Sequence, residues 1–148
     1  MTRNKRQVTW PKIKLVTCYL LLVTCLLFLV TYMDCLFCKI VEGSVPSDTV
    51  FEDETVKAFR DIHPKAPVHI LIIPKEHIGS IADIEDRHQA LISRLIYTAK
   101  KIAADHGLTG YKIVFNVGRD GGQIVDHLHL HLLGGWKGSA DNDAPLHV

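Results

Sequence analysis

The chain has 148 residues, and its 17 basic and 16 acidic side chains leave a net charge of +1. This balance gives no electrostatic reason to expect a nucleic acid as the main partner. From Met33 onward the length suits one compact domain, without internal repeats, low-complexity stretches or a linker.

The first 33 residues differ in composition from the rest. Basic side chains precede residue 15: Arg3, Lys5, Arg6, Lys12 and Lys14. An uncharged apolar run then covers 15–33, about the length that spans a bilayer as a helix. It is a membrane anchor with its positive flank inside, a long signal-peptide core without a clear cleavage site, or sequence translated upstream of a true start at Met33. We expect the last of these, with a cytoplasmic domain over 34–148.

Short strands dominate the first half of this domain. The stretch TVFEDETVKAFRD predicts two strands, near Thr49–Phe51 and Val56–Phe59, which turn at Asp53-Glu54. The apolar run His69–Ile73, closed by Pro74, predicts a third strand.

One long helix follows, with Asp83 as its predicted N-cap and Gly107 at its C′ position. Its apolar stripe comprises Leu91, Leu95, Ile96, Ala99, Ile102 and Ala103. Tyr111–Asn116 predicts a fourth strand, and the Gly118–Gly122 loop leads to the fifth. Strands, one helix and strands again indicate an α+β fold with an antiparallel sheet.

The fifth strand has the most informative pattern in the chain. Side chains alternate between the two faces of a strand, so VDHLHLHLL puts three imidazoles on one face and leucines on the other. The imidazoles are His127, His129 and His131. Such a row can carry a nucleophile, a proton donor and an orienting partner near neutral pH, or it can bind metal. The alternative is a solvated strand face that is merely rich in histidine.

The segment GQIVDHLHLHLLGG resembles the signature of the histidine triad (HIT) family. The resemblance extends through CLFCKIVEGSVPS, FRDIHPKAPVHILIIPKEHI and YKIVFNVGRDGGQ, and it covers nearly all of residues 34–135. The branch that looks closest is the histidine triad nucleotide-binding proteins, which are nucleoside phosphoramidases. The resemblance implies a HIT-like fold, a five-stranded antiparallel sheet with one long helix. It also implies a homodimer with a continuous ten-stranded sheet, paired through the long helix and the fourth strand.

The resemblance assigns the chemistry to four histidines. His129 matches the middle histidine of the triad, which attacks the α-phosphate and gives a nucleotidyl-histidine intermediate. His131 matches the third, which hydrogen-bonds near the phosphate and the leaving group, and His127 matches the first. His69 matches an upstream histidine that completes the active-site set. No metal need take part in this chemistry.

The resemblance also implies the nucleotide contacts. Asp61 would accept hydrogen bonds from the ribose hydroxyls, which a carboxylate does well. The apolar walls of the purine pocket would be Phe37, Ile40, Phe59 and Ile62, with Leu36 beside them. The positions around the phosphate would be Asn116, Gly121, Gly122 and Gln123, where glycine lets backbone amides approach phosphate oxygens. Ile124 departs from the family pattern, because many relatives carry a polar residue there.

The pair Cys35-x-x-Cys38 needs a separate explanation. In a cytosolic protein this spacing indicates metal binding or redox chemistry more often than a structural disulfide. Two cysteines alone do not complete a tetrahedral zinc site. Family members with this pair, and the related galactose-1-phosphate uridylyltransferases, bind structural zinc with two further histidines, which here are His77 and His127. The alternative is two unpaired thiols.

These features predict a purine nucleotide-binding hydrolase that cleaves nucleoside 5′-phosphoramidates. Its partners would be the nucleotide and a second copy of the chain, and the membrane only if residues 15–33 act as an anchor. Two alternatives stay open. One is hydrolysis of dinucleoside polyphosphates by the same nucleophile. The other is a nucleotide-binding or scaffold protein with residual catalysis.

Overall fold

A computed structural model of the chain describes residues 35–136. The basic and apolar N-terminal segment, on which the expected anchor or upstream start falls, lies outside the described residues. Within 35–136, no helix is both long and apolar enough to cross a membrane.

The described residues build one five-stranded sheet. Its strands are β1 (Thr49–Glu52), β2 (Val56–Arg60), β3 (Val68–Pro74), β4 (Tyr111–Phe115) and β5 (Leu130–Gly134). They lie in the order β1-β2-β3-β5-β4, and each neighbouring pair is antiparallel. The predicted α+β class and antiparallel sheet are therefore confirmed, and β4 is an edge strand of the sheet among residues 35–136.

Two α-helices accompany the sheet, α1 (Leu36–Val41) and α2 (Gln89–Asp105). Helix α1 was not among the elements predicted from the sequence. The predicted N-cap of α2 is wrong, because Asp83 ends a separate 3-10 helix and its carboxylate accepts a hydrogen bond from the Ser80 hydroxyl at 2.9 Å. The predicted end is confirmed, since Gly107 follows the helix with a φ of +64°.

The apolar stripe of α2 packs on one face of the sheet, with one exception. Leu95, Ala99, Ile102 and Ala103 are buried and Leu91 packs against them, whereas Ile96 is 42% exposed. An α-helix turns by about 100° per residue, so Ile96 points well away from the direction of Leu95. Within the single chain, Ile96 is therefore the one residue of the predicted apolar stripe that is exposed.

The two faces of the sheet carry different clusters. The face against α2 holds the larger apolar core: Val56, Ala58, Ile70, Ile72, Ile78, Leu95, Ala99, Ile102, Ala103, Leu128, Leu130 and Leu132. The opposite face holds a smaller cluster with α1: Phe37, Ile40, Phe59, Leu71 and Ile73. The second face also carries the histidines.

The predicted alternation around β5 holds, although the regular strand begins later than expected. Leu128 lies in the larger core with Leu130, yet the ladder with β3 starts only at the pair Ile72–Leu130. Continuing this register would pair Leu128 with Pro74, which has no backbone N–H to donate. His127 and His129 therefore lie just before β5, and the chain bends at His127.

Candidate active site and metal site

A cleft of about 1030 Å³ opens beside α1 on the histidine-bearing face. It is lined by most of the residues that the sequence singles out: Leu36, Phe37, Ile40, Phe59, Asp61, Ile62, His69, Asn116, Gly122, Ile124, His129 and His131. His127, Gly121 and Gln123 are not among the lining residues. The volume is at the upper end of the range for small-molecule pockets, which is roughly 300–1,000 Å³.

One wall of the cleft is apolar and buried. The Phe37 and Phe59 rings meet edge to face with centroids 5.6 Å apart, and Ile40 is buried with them. Ile62 differs, because the residue is 85% exposed at the cleft. The buried wall suits a flat aromatic base, and Ile62 would cover the base only from the rim.

The orientation of His129 follows from a main-chain acceptor. Its Nδ1 lies 2.6 Å from the carbonyl oxygen of His127. A carbonyl only accepts, so Nδ1 carries the hydrogen and donates it, and the neutral ring keeps its lone pair on Nε2. His129 lines the cleft, and its Nε2 is the nitrogen left for chemistry there.

A second chain of hydrogen bonds fixes His131. The backbone N–H of Lys65 donates to Nδ1 of His69 at 3.1 Å, so neutral His69 carries its hydrogen on Nε2. That Nε2–H donates to Nδ1 of His131 at 2.9 Å. Neutral His131 therefore carries its own hydrogen on Nε2. The Asn116 amide lies 3.5 Å from this nitrogen, and with the hydrogen on Nε2 only the amide oxygen of Asn116 can accept it. His131 is thus set up as a hydrogen-bond donor at Nε2.

Asp61 lies beside this pair. Its Oδ1 accepts the backbone N–H of His63 at 2.8 Å, and its Oδ2 is 3.4 Å from Nε2 of His69. Asp61, His69 and His131 are also close enough to hold a metal ion. However, the His69–His131 hydrogen bond uses the Nδ1 lone pair of His131, so this arrangement shares a proton instead of chelating a cation.

Burial lowers the pKa of four histidines: His69, His127, His129 and His131. It lowers the pKa of His127 and of His131 to about 4, and the pKa values of His69 and His129 shift in the same direction. The desolvated imidazolium is disfavoured in each case. All four rings are therefore neutral near pH 7, as the hydrogen-bond assignments require.

The Gly118–Gly122 loop closes one side of the cleft. Gly122 lines it with a φ of +84°, and a Cβ on Gly121 would overlap the carbonyl of Val117. The side chain of Gln123 is buried and turned inward, since its Oε1 accepts the N–H of Gly118 at 3.1 Å and its Nε2 donates to Gly79 O at 2.7 Å. Gln123 therefore shapes the loop and does not offer its side chain to the cleft.

Ile124 follows this loop at the cleft rim, and the residue is 81% exposed. It has no hydrogen-bonding atom in its side chain, so it presents only an apolar surface. Hydrogen bonds to substrate groups at this part of the rim must come from other residues.

The two cysteines meet two histidines in a compact cluster. Cys38 Sγ lies 3.3 Å from His77 Nδ1 and 3.6 Å from His127 Nδ1, and Cys35 Sγ lies 3.4 Å from His127 Nδ1. The four ligand atoms all lie within 4.8 Å of one another. This cluster of Cys35, Cys38, His77 and His127 is called the Cys2His2 cluster below.

The geometry of the Cys2His2 cluster fits zinc. With Zn–S near 2.3 Å and Zn–N of 2.0–2.1 Å, a tetrahedral site places sulfur and nitrogen about 3.5 Å apart, close to the separations found here. Nε2 of His127 donates to the carbonyl oxygen of Pro74 at 2.9 Å, which leaves the Nδ1 lone pair facing the thiols. Burial first, then the neighbouring Cys35, raises the pKa of Cys38 to about 12, so a bound metal must displace its proton.

Several cleft residues carry no sequence signal that would have identified them. They are Pro46, Ser47, Asp48, Arg60, His63, Lys65, Leu71 and Val125. Lys65 matters most, because its backbone amide and not its side chain sets the tautomer of His69. A main-chain donor cannot be recognised from residue type, so only the fold reveals it.

Comparison with known proteins places this site in a family. The chain matches the family model described as scavenger mRNA decapping enzyme C-terminal binding, over residues 34–142. It is 52% identical over 103 residues to an uncharacterised HIT-like protein of Synechococcus elongatus, covering 69% of this chain and 90% of that protein. It is 47% identical over 102 residues to the purine nucleoside phosphoramidase of Escherichia coli, covering 68% and 86% respectively.

Solved structures agree with these matches. A HIT family hydrolase from Legionella pneumophila is 51% identical, with a TM-score of 0.69, and the match covers 73% of this chain and 98% of that one. A histidine triad protein from Clostridium difficile is 47% identical, also with a TM-score of 0.69, with coverage of 72% and 95%. The chain therefore belongs to the histidine triad (HIT) family and is a hydrolase of that family.

Proposed function

We propose that this hydrolase cleaves purine nucleoside 5′-phosphoramidates through a nucleotidyl-histidine intermediate. The observation that carries the proposal is the arrangement of His129 and His131 at the cleft. His129 offers a lone pair on Nε2, and His131 offers a hydrogen on Nε2. The similarity to the Escherichia coli purine nucleoside phosphoramidase supports the choice of substrate class.

Binding would use the apolar wall and the carboxylate. The base would lie against Phe37, Ile40 and Phe59, which are buried beside the cleft. Asp61 would accept the ribose hydroxyls, because its side chain faces the cleft and remains partly exposed. Asn116 and the main chain at Gly122 would meet the phosphate.

The reaction would run in two steps. Nε2 of His129 forms a bond to phosphorus, the P–N bond to the amine breaks, and the electron pair leaves with the amine. The amine takes up the Nε2 proton of His131, while the hydrogen bond from His69 to Nδ1 keeps the His131 ring in place. Water then attacks phosphorus and gives a proton back to Nε2 of His131, the bond to His129 breaks with its electron pair returning to Nε2, and the nucleoside monophosphate is released.

The Cys2His2 cluster would hold one structural zinc ion, with Cys35 and Cys38 as thiolates and His77 and His127 as neutral ligands. Zinc bound there would tie α1 to the segment before β5. The chemistry proposed above is carried by His129 and His131, which lie outside this cluster.

Replacing His129 by alanine tests the proposal. The imidazole faces the cleft, so its removal opens no large cavity in the core, and we expect turnover of an adenosine phosphoramidate to fall by on the order of 10³-fold or more. Mass spectrometry of quenched wild-type enzyme should detect a nucleotidyl adduct on the peptide that contains His129. Activity of His129→Ala within tenfold of wild type, or an adduct on another residue, would remove His129 from this role.

Parallel assays separate the remaining functions. Rates on the phosphoramidate and on a diadenosine polyphosphate, measured at equal concentration, identify the preferred leaving group. Faster turnover of the polyphosphate would assign the same nucleophile to that substrate. Stoichiometric nucleotide binding without turnover of either compound would indicate a binding protein.

A further inference from the structure

We propose that the Cys2His2 cluster positions the nucleophile, so that metal bound there controls the rate of the chemical step as well as stability. The inference rests on the proposed function, because it takes His129 as the nucleophile and the cluster as a zinc site. It concerns how metal at the Cys2His2 cluster affects the orientation of His129 in the cleft.

The first link is through the main chain of His127. Its ring is fixed on both sides, by the Pro74 carbonyl at Nε2 and by the thiols of Cys35 and Cys38 at Nδ1. The carbonyl oxygen of the same residue accepts the Nδ1–H of His129 at 2.6 Å. A residue whose side chain would bind the metal therefore holds the nucleophile with its backbone.

The second link is through Phe37, which lies between the two cysteines on α1. Its ring meets the His129 ring edge to face at 5.4 Å and the His127 ring at 5.9 Å. The ring is buried. Because Cys35, two residues before Phe37, and Cys38, directly after it, would supply metal ligands, metal bound at the cluster would also hold Phe37 against His129.

Both contacts act on the direction of the His129 ring. Its lone pair must point along the line of attack on phosphorus, and misplacement of reacting groups by about 1 Å can cost on the order of 10²-fold in rate. Without metal, α1 and the segment at His127 lose their shared anchor. Nδ1–H of His129 then has a less well-defined acceptor, and Nε2 is aimed correctly less of the time. Asp61, on the loop after β2, does not depend on this anchor.

The experiment compares the full chain with zinc bound and after removal of the metal by a chelator. NMR observes the Nδ1–H proton of His129, identified by its disappearance in His129→Ala, and single-turnover kinetics measure the chemical step. We expect the proton to be protected from exchange only with metal bound. We also expect the single-turnover rate to fall by about tenfold or more on stripping, with a smaller change in the dissociation constant for AMP. Both changes should reverse when zinc is returned.

A second variant keeps the test valid if the stripped protein unfolds. Phe37→Leu retains all four ligands but loses the aromatic edge, whereas Val41→Ala alters a partly buried residue of the same helix outside the cleft. We expect Phe37→Leu to keep its zinc, to lose protection of the His129 proton and to slow the single-turnover rate severalfold. Val41→Ala should change neither the proton nor the rate.

Three results would overturn the inference. The first is metal-free protein that stays folded, keeps the His129 proton signal and has a single-turnover rate within twofold of the zinc-bound protein. The second is a Phe37→Leu variant that matches wild type in both the proton signal and the rate, and the third is a Val41→Ala variant that changes both as much as Phe37→Leu does. Failure of the proposed function would give other results. Activity retained in His129→Ala would show that His129 is not the nucleophile, and protein that purifies without metal would show that the cluster is not a zinc site.

Discussion

Three of the four histidines have a ring nitrogen bonded to a main-chain group that can play only one role, and the fourth, His131, is bonded to the side chain of one of these three. His127 and His129 donate to carbonyl oxygens, and His69 accepts from an amide N–H. The backbone therefore decides which nitrogen of each neutral ring is a donor and which is an acceptor. This explains how three identical side chains in alternation can hold three different roles.

The buried histidines make stability depend on pH. His131 faces His69, His129, Asp61 and Asn116, and burial lowers its pKa from 6.5 to about 4. Between these values the unfolded chain binds more protons than the folded one, so the free energy of unfolding falls as the pH falls from 6.5 to 4. The slope for one such histidine is up to about 1.4 kcal/mol per pH unit. Urea unfolding at pH 7 and pH 5 measures it.

The His131→Asn variant provides the control for this slope. It removes the titrating ring and keeps a polar side chain at the same position, so we expect a smaller loss of stability between pH 7 and pH 5 than in wild type. A loss of equal size in the variant would show that the slope comes from other groups.

At the scale of elements, the end of β3 organises the site. The ladder between β3 and β5 ends at Ile72, and two residues later the carbonyl oxygen of Pro74 accepts a hydrogen bond from His127. His77 follows three residues later and meets Cys38 of α1. Three segments that are distant in sequence thus converge on the Cys2His2 cluster, which would link them when metal is bound.

We predict that the chain purifies with about one zinc ion and that Cys38→Ser loses it. The variant should melt at least about 5 °C lower, which corresponds to roughly 1 kcal/mol in a domain of about 100 residues. Elemental analysis and calorimetry make the two measurements. Cys25→Ser, the same change outside the cluster, should retain both the metal and the melting temperature. Stoichiometric zinc in a Cys35→Ser/Cys38→Ser double variant would exclude these ligands.

At the scale of the whole molecule, one edge of the sheet remains apolar. Ile113 on the edge strand β4 is 41% exposed, and Ile96 and Tyr97 on α2 are exposed as well. An unpaired edge with apolar side chains is a surface that soluble proteins usually cover. We therefore expect two chains to pair along β4, with the two five-stranded sheets forming one.

Substituting Ile113 by lysine tests this pairing. A charged side chain in the middle of the edge strand should oppose association, and we expect sedimentation to give the dimer mass for wild type and the monomer mass for Ile113→Lys. Thr49→Lys is the matched control, since it adds the same charge to β1 at the other edge. A monomeric wild type, or a variant that remains dimeric, would contradict the expectation.

We also predict that residues 1–32 are dispensable for hydrolysis. All the residues assigned to the cleft and to the Cys2His2 cluster lie between 35 and 131, and the family match begins at residue 34. A chain that begins at Met33 should be soluble and should match the full chain in kcat/KM for an adenosine phosphoramidate within about twofold. A large loss of activity in the shortened chain would assign the N-terminal segment a part in catalysis.

The sequence alone was sufficient wherever local pattern decides the outcome. Alternation placed Leu128, Leu130 and Leu132 in the core opposite the histidines, and Gly107 marked the end of α2. The family motif named most residues that line the cleft. These features depend on side-chain type and spacing, which can be read directly from the chain.

Only the tertiary structure decided the features that depend on main-chain groups and on distant partners. Asp83 does not cap α2 because Ser80 forms a separate 3-10 turn with it, and Gln123 points inward because Gly79 and Gly118 lie within its reach. The tautomers of the histidines depend on main-chain carbonyl groups, which every residue type carries, and on N–H groups, which every type except proline carries. Their placement is set by how the strands and loops pack, so no residue pattern could have shown it.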